Sequence, residues 1–210
     1  MRLPLFLALA ALTACAEMTR PRAPEPPSAL AGGVIVPQPL PVILDLATRD
    51  FDMAGANLQG HPAETALAVA RLEWLGGEAR PGRRLAELQP SYLFALRRAV
   101  AEARQIMAIS PDAPAEATVP ALLAAAAALR RDDTAAAEAA LRGPAFQPTD
   151  RPQVRRLTEP GAFPDTALAL PALREEVTRL IATNRADPAL LYDNTRSGIT
   201  TYGLGGTTDL

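Results

Sequence analysis

The chain has 210 residues, of which 49% are hydrophobic, and its formal net charge is -2 at neutral pH. This length is sufficient for one domain with a substantial core. Nucleic-acid binding rests on a concentrated excess of basic residues, so this charge balance argues against that class of partner. Every basic residue is an arginine, for which a biased genome composition is the simplest explanation.

The amino-terminal residues have the pattern of a secretion signal. Met1 and Arg2 precede an apolar run from Leu3 to Leu12, which is followed by two small residues and Cys15, the only cysteine. A positive start, a short apolar run and small residues before a cleavage point are typical of a signal peptide. Even when it is counted through Ala14, a helix of these residues would reach only about 18 Å, short of the roughly 30 Å of a bilayer core. We therefore predict a signal peptide over residues 1–14.

The residues Leu12-Thr13-Ala14-Cys15 resemble the lipobox of bacterial lipoprotein precursors. The resemblance implies a thioether-linked diacylglyceryl group on Cys15, cleavage before Cys15, and acylation of the new amino terminus by a fatty acid such as palmitate. Two or more acyl chains give stable membrane anchoring. Ala16 stands where an aspartate would mark inner-membrane retention, so the resemblance implies the outer membrane, facing the periplasm. The alternative is an ordinary secreted protein with a free thiol.

Residues 15–41 are rich in proline and are predicted to be a tether between the lipidated cysteine and the domain. Such a segment favours extended polyproline II. Recognition by a proline-reading partner is an alternative, and Val34-Ile35-Val36 could form a short edge strand or dock on the domain. The prolines concerned are Pro21, Pro24, Pro26, Pro27, Pro37, Pro39 and Pro41.

Residues 42–192 are predicted to form an all-α domain, a compact bundle or short solenoid-like array of six to seven helices. Apolar residues at helical spacing predict a first helix over residues 42–58 and a second from Pro62 to the Gly76-Gly77 pair. The clearest helix covers residues 91–109, where Arg98 and Glu102 are spaced for an ion pair. Its apolar seam is Leu93, Leu96, Val100, Ala103 and Met107.

The second half of the domain is predicted to contain a fourth helix from about Thr118 to Arg131 and a fifth from about Asp133 to Leu141. This pair resembles a tetratricopeptide-type helical repeat, although the spaced aromatic and proline signature and the period of about 34 residues are absent. Residues 145–165 are predicted to wrap the surface.

The last predicted helices are a sixth from about Pro171 to Asn184 and a short seventh from Asp187-Pro188. Residues 193–210 contain little core material and are predicted to be a flexible tail.

The residue inventory gives little support to catalysis. The chain has one histidine, His61, and its only cysteine is expected to carry lipid, so these side chains cannot form a zinc site. Because the chain has no lysine, Schiff-base chemistry is excluded. We therefore predict a non-enzyme without metal or cofactor. Paired carboxylates, with Glu64 and Glu73 as candidates, leave open an envelope hydrolase acting on peptidoglycan. Carriage of a hydrophobic small molecule is the other alternative and would need a cavity of roughly 300 Å³.

The remaining function class is contact with another protein. The chain is thus expected to be an envelope lipoprotein whose helical domain serves protein–protein interaction or envelope assembly. Interfaces are enriched in arginine and aromatic residues. Six such residues without an evident core role, most of them in predicted turns or loops, are the candidate contacts: Arg83, Arg84, Tyr92, Arg155, Arg156 and Tyr202.

The anchor can be tested by replacing Cys15 with serine, which removes the sulfur that would carry the diacylglyceryl group. We expect Cys15→Ser to abolish labelling by a fatty-acid analogue and to leave the signal peptide uncleaved by the lipoprotein pathway. Labelling and membrane fractionation of both proteins measure this effect. Equal labelling of the two would contradict the lipobox assignment.

Overall fold

The computed structural model describes residues 24–183, which form seven α-helices and two short 3-10 helices without a β-strand. This confirms the all-α prediction. Cys15, Tyr202, the helix predicted at Asp187-Pro188 and the predicted tail lie outside the described residues. The α-helices are α1 Pro39–Asp50, α2 Pro62–Glu78, α3 Pro90–Met107, α4 Ala115–Leu129, α5 Thr134–Ala140, α6 Gln153–Thr158 and α7 Pro164–Ala182. The 3-10 helices are Ser28–Ala31 and Asp52–Leu58.

Local signals account for most helix starts. A proline occupies the start of α1, α2, α3 and α7, where its fixed φ suits the helix and its missing N–H would have had no helical partner. The side chain of Asp133 accepts a hydrogen bond of 2.9 Å from the Ala136 N–H and caps α5 as predicted.

Helix α2 is the centre of the fold. It contacts α1, α3, α4 and α6, and most extensively α4. Its residues from Thr65 to Leu75 are all buried. A helix that is covered on all sides needs small or apolar residues around its whole circumference, and the alanines of α2 and α4 meet that need. The alanine-rich composition therefore allows these two helices to pack closely.

The glycine pair Gly76-Gly77 was predicted to end α2, but the helix continues through it to Glu78. A Cβ on Gly76 would lie 2.8 Å from a Val100 methyl group, and one on Gly77 would lie 3.1 Å from the Ala115 Cβ. The glycines thus allow α3 and α4 to approach α2 closely. Tertiary packing outweighs their low helix propensity here.

The first predicted helix is divided in two. Helix α1 ends at Asp50, and the chain then takes positive φ angles at Met53, Ala54 and Gly55. The Ala54 carbonyl accepts a hydrogen bond of 2.9 Å from the Phe163 N–H. The Phe163 ring lies where a Gly55 Cβ would clash and packs edge-on against Phe51, with 5.0 Å between ring centroids. Docking of Phe163 therefore accounts for the break.

Two features of the second half differ from prediction. Helix α7 begins seven residues before Pro171, which lies inside it, and α6 forms within the segment predicted to wrap the surface. A proline inside a helix costs about 3 kcal/mol. Burial of Leu170, Leu173 and Val177 around Pro171 offsets this cost.

The segment predicted as a tether contributes to the described domain. Leu30 and Ala31 are buried, and the Leu30 carbonyl accepts a hydrogen bond of 2.9 Å from Arg71 Nε. Val34 and Ile35 are exposed and form no strand, whereas Val36 packs partly against the core. Residues 39–41 belong to α1. Part of the predicted tether therefore packs on the helices.

The apolar seam of α3 can be tested at Leu96, which is 1% exposed. Met107 is also buried, while Val100 is only half-buried. We expect Leu96→Ala to lower the free energy of unfolding by about 2–5 kcal/mol because it leaves a cavity. The matched control Leu168→Ala, at a side chain that is 76% exposed, should cost less than about 0.5 kcal/mol. Urea unfolding measures both, and equal effects would contradict the burial of Leu96.

Candidate functional site

A cleft of about 450 Å³ lies along one side of α3, and we call it the α3 cleft. It extends from α3 across the turn that follows this helix to residues 147–149 and α6. Its apolar lining is formed by Val100, Ala101, Ala108, Ile109 and Pro111. Because the lining comes from three separate segments, the position of those segments decides the shape of the cleft.

Backbone hydrogen bonds fix one wall of the α3 cleft. Ala108 ends α3 in a left-handed conformation, which turns the chain so that Ile109 forms an isolated antiparallel bridge with Phe146. The Ala108 carbonyl accepts a hydrogen bond of 2.7 Å from the Gln147 N–H, and the Ser110 N–H donates one of 2.8 Å to the Ala145 carbonyl. Main-chain hydrogen bonds thus hold this wall of the cleft in place.

The polar lining of the α3 cleft is cationic. Its polar side chains are those of Arg97, Arg104, Gln105, Gln147, Thr149 and Arg156. None of the described residues lining the cleft is an aspartate or glutamate. Positive charge in a concave site favours anions.

The guanidinium of Arg104 is bound by other groups of the protein. Its Nε and Nη2 donate to the two Glu73 carboxylate oxygens at 2.8 and 2.7 Å, and Nη2 also donates to the Ala113 carbonyl at 2.9 Å. Thr118 Oγ1 donates to the same carboxylate at 3.2 Å. The hydrogen bonds with Glu73 raise the pKa of the Arg104 guanidinium. Its charge is therefore balanced within the core.

The other two arginines have unused hydrogen-bonding capacity. Arg156 donates from Nη1 to the Ile106 carbonyl at 3.1 Å, but its buried Nε has no hydrogen-bond partner. Arg97 is exposed and forms no ion pair with a described residue. A smaller hollow of about 280 Å³ adjoins the cleft and shares Arg97, Val100 and Arg104 with it. Neither the Arg97 nor the Arg156 guanidinium forms an ion pair with a described residue.

A second surface feature lies where α3 packs on α7. Phe94 on α3 and Leu168 on α7 are 62% and 76% exposed. Arg98 binds the Asp165 carboxylate at 2.8 Å, whereas Glu102 accepts hydrogen bonds of 2.9 Å from the N–H groups of Asp165 and Thr166. The predicted Arg98–Glu102 pair is thus replaced by contacts that join the two helices. We call Phe94, Arg98 and Leu168 the α3/α7 patch.

The five predicted contact residues that the structure describes do not form one surface. Arg84, predicted to have no core role, is buried, with its guanidinium 2.9 Å from Glu78 and stacked over Trp74 at 5.6 Å. Arg83 pairs with Glu116, and Tyr92 packs partly against the core. Arg155 is exposed near Glu159, and Arg156 lines the α3 cleft.

The candidate carboxylates Glu64 and Glu73 have different environments. Glu73 is buried, as are Glu78 and Glu176. Glu64 is exposed and pairs with Arg130 at 3.0 Å. Glu64 and Glu73 lie nine residues apart on α2, and about 100° per residue places them on opposite sides of the helix. They are not arranged as a facing catalytic pair. His61 is exposed just before α2.

No protein family model, curated protein or solved structure matches this chain. Within residues 24–183, no group of three or more histidine, cysteine, aspartate and glutamate side chains is placed to hold a metal ion. No helix in the same range is long and apolar enough to cross a bilayer.

The different environments of Glu64 and Glu73 give a matched test. Glu73→Gln should lower the free energy of unfolding by about 3–5 kcal/mol because it leaves the Arg104 charge uncompensated. Glu64→Gln removes only a surface ion pair and should cost less than about 1 kcal/mol. Denaturant unfolding of both variants measures the difference. A loss below about 1 kcal/mol in Glu73→Gln would contradict a structural role for this pair.

Proposed function

We propose that the chain is a lipoprotein of the bacterial envelope, attached to the outer membrane through lipid on Cys15, with a helical periplasmic domain that binds another protein or supports an envelope assembly. The lipobox resemblance at Leu12-Thr13-Ala14-Cys15 supports the attachment. In this proposal the domain acts by contact, without catalysis or a cofactor.

The observation that supports protein contact best is the α3/α7 patch. Phe94 and Leu168 are large apolar side chains that are mostly in water, on two helices that pack together. Arg98 lies one helical turn after Phe94 on α3. Exposed aromatic and aliphatic groups beside arginine are typical of interface centres. Glu102 joins the two helices by hydrogen bonds, so the patch would lose little conformational entropy when a partner binds.

A second candidate function, carriage of a small molecule with an apolar part, is supported by the α3 cleft. Its volume of about 450 Å³ exceeds the roughly 300 Å³ at which drug-sized ligand sites begin. This function would use a different flank of α3 from the α3/α7 patch.

The contact proposal can be tested by photo-crosslinking in intact envelopes. A photoreactive amino acid in place of Ser91, exposed in the first turn of α3, should give a discrete adduct with the partner. We expect Phe94→Ser and Leu168→Ser each to reduce the adduct at least fivefold by removing apolar contact area. Immunoblotting of the crosslinked envelopes measures the yield.

Met53→Ser is the matched control, because Met53 is 69% exposed and lies outside the α3/α7 patch. It should leave the adduct unchanged. An adduct that persists in both patch variants, or that is lost equally in the control, would argue against the patch as the contact surface.

A further inference from the structure

We propose that the α3 cleft is a binding site for an amphiphilic anion, a molecule that carries a carboxylate or phosphate on a short apolar chain or ring. This inference specifies the ligand of the second candidate function and rests on it. It is independent of the α3/α7 patch, so either site can fail without the other.

The position of the arginines argues for an anionic group. Arg97, Ala101 and Arg104 follow each other at spacings of four and three residues and therefore lie on one side of α3. Arg156 reaches the cleft from α6. Arg104 is neutralised by Glu73, and the described lining contains no carboxylate, so the charges of Arg97 and Arg156 remain uncompensated there.

The guanidinium of Arg156 points to the same ligand class. Its Nε is buried without a hydrogen-bond partner and is closed to solvent, so a ligand in the cleft would bind the Nη groups. The guanidinium is held by one hydrogen bond from Nη1 to the Ile106 carbonyl, which leaves other donors of the fork unused. Carboxylate and phosphate oxygens match this planar fork better than a neutral acceptor does.

The rest of the α3 cleft argues for an apolar part in the same molecule. Val100, Ala101, Ile109 and Pro111 form a surface that an isolated phosphate or carboxylate would leave uncovered. Burial of an apolar chain against this surface would add to the attraction of the arginines. The bridge between Ile109 and Phe146 holds this surface in place before a ligand arrives.

A hollow on another part of the molecule differs from the α3 cleft in both size and charge. The hollow beside Trp74 measures about 140 Å³ and is lined by Glu25, Glu78 and Glu116 as well as Arg83. Its size and its carboxylates make it unsuitable for an anion with an apolar chain.

Calorimetric titration of the full-length, lipidated protein in nanodiscs of zwitterionic lipid tests the proposal. Octyl phosphate and octanoate are titrated below their micelle concentrations, with empty nanodiscs subtracted to remove partitioning into lipid. Octan-1-ol tests the need for charge, and inorganic phosphate tests the need for the chain. We expect both octyl anions to bind at least tenfold more tightly than either comparison compound.

Three variants assign the binding to the α3 cleft. Arg97→Gln and Arg156→Gln should each weaken octyl phosphate binding at least tenfold, and Ala101→Phe should weaken it by occupying the apolar lining. Arg142→Gln, which removes an exposed arginine outside the cleft, should bind as the unaltered protein does. If Arg156→Gln lowers the melting temperature by more than a few degrees, the exposed Arg97 and Ala101 positions still decide the result.

Several outcomes would overturn the proposal. Equal affinity for octan-1-ol would mean that the arginines do not recognise the ligand, and equal affinity for inorganic phosphate would mean that the apolar lining is not used. Unchanged binding in Arg97→Gln and Ala101→Phe would place the ligand elsewhere. If the octyl anions fail to bind while the crosslinked adduct at the α3/α7 patch persists, only the ligand proposal falls.

Discussion

The Glu73–Arg104 ion pair fixes the arrangement of three helices. Both oxygens of Glu73 on α2 are bound by Arg104 of α3, and Thr118 of α4 donates to the same carboxylate. Arg104 also binds the Ala113 carbonyl in the connection to α4. A buried pair of this kind contributes little net stability, but an alternative packing that separated the charges would be strongly disfavoured. The alignment of α2, α3 and α4 depends on this pair.

Two further buried pairs originate from α2. Arg71 binds Asp50 of α1 at 2.6 Å and the carbonyl of Leu30, while Glu78 binds Arg84 in the loop after α2. Burial raises the pKa of Asp50 against the opposing effect of Arg71. An interface made of alanine and leucine has few shape features that define a single alignment. The three pairs supply directional contacts that a smooth apolar surface lacks.

The sequence predicted the elements that depend on neighbouring residues in the chain. It missed the elements that depend on contacts between residues far apart in the chain. The seam of α3 and the Asp133 cap are local patterns. The first N–H groups of α6 and α7, by contrast, are bound by Glu138 of α5 and Glu102 of α3, so neither helix has a local cap. Glu73 lies 31 residues from Arg104, and the α3 cleft joins three separate segments. The arginines at positions 97 and 104, two helical turns apart, were the one local signal of that cleft.

The sides of helix α3 differ in burial and in charge. One side, with Leu96, Ala99 and Ala103, is buried in the core, and the flank facing α7 presents Arg98 and Glu102. The third side carries Arg97 and Arg104, which both line the α3 cleft but differ in their ion pairing. Arg104 is bound by Glu73, whereas Arg97 is free of ion pairs with described residues. Glu73 binds Arg104, whereas a ligand would bind Arg97 and Arg156. The ligand would therefore not compete with Glu73 for the same guanidinium. The proposed anion binding could therefore be changed without altering the ion pair that holds the core.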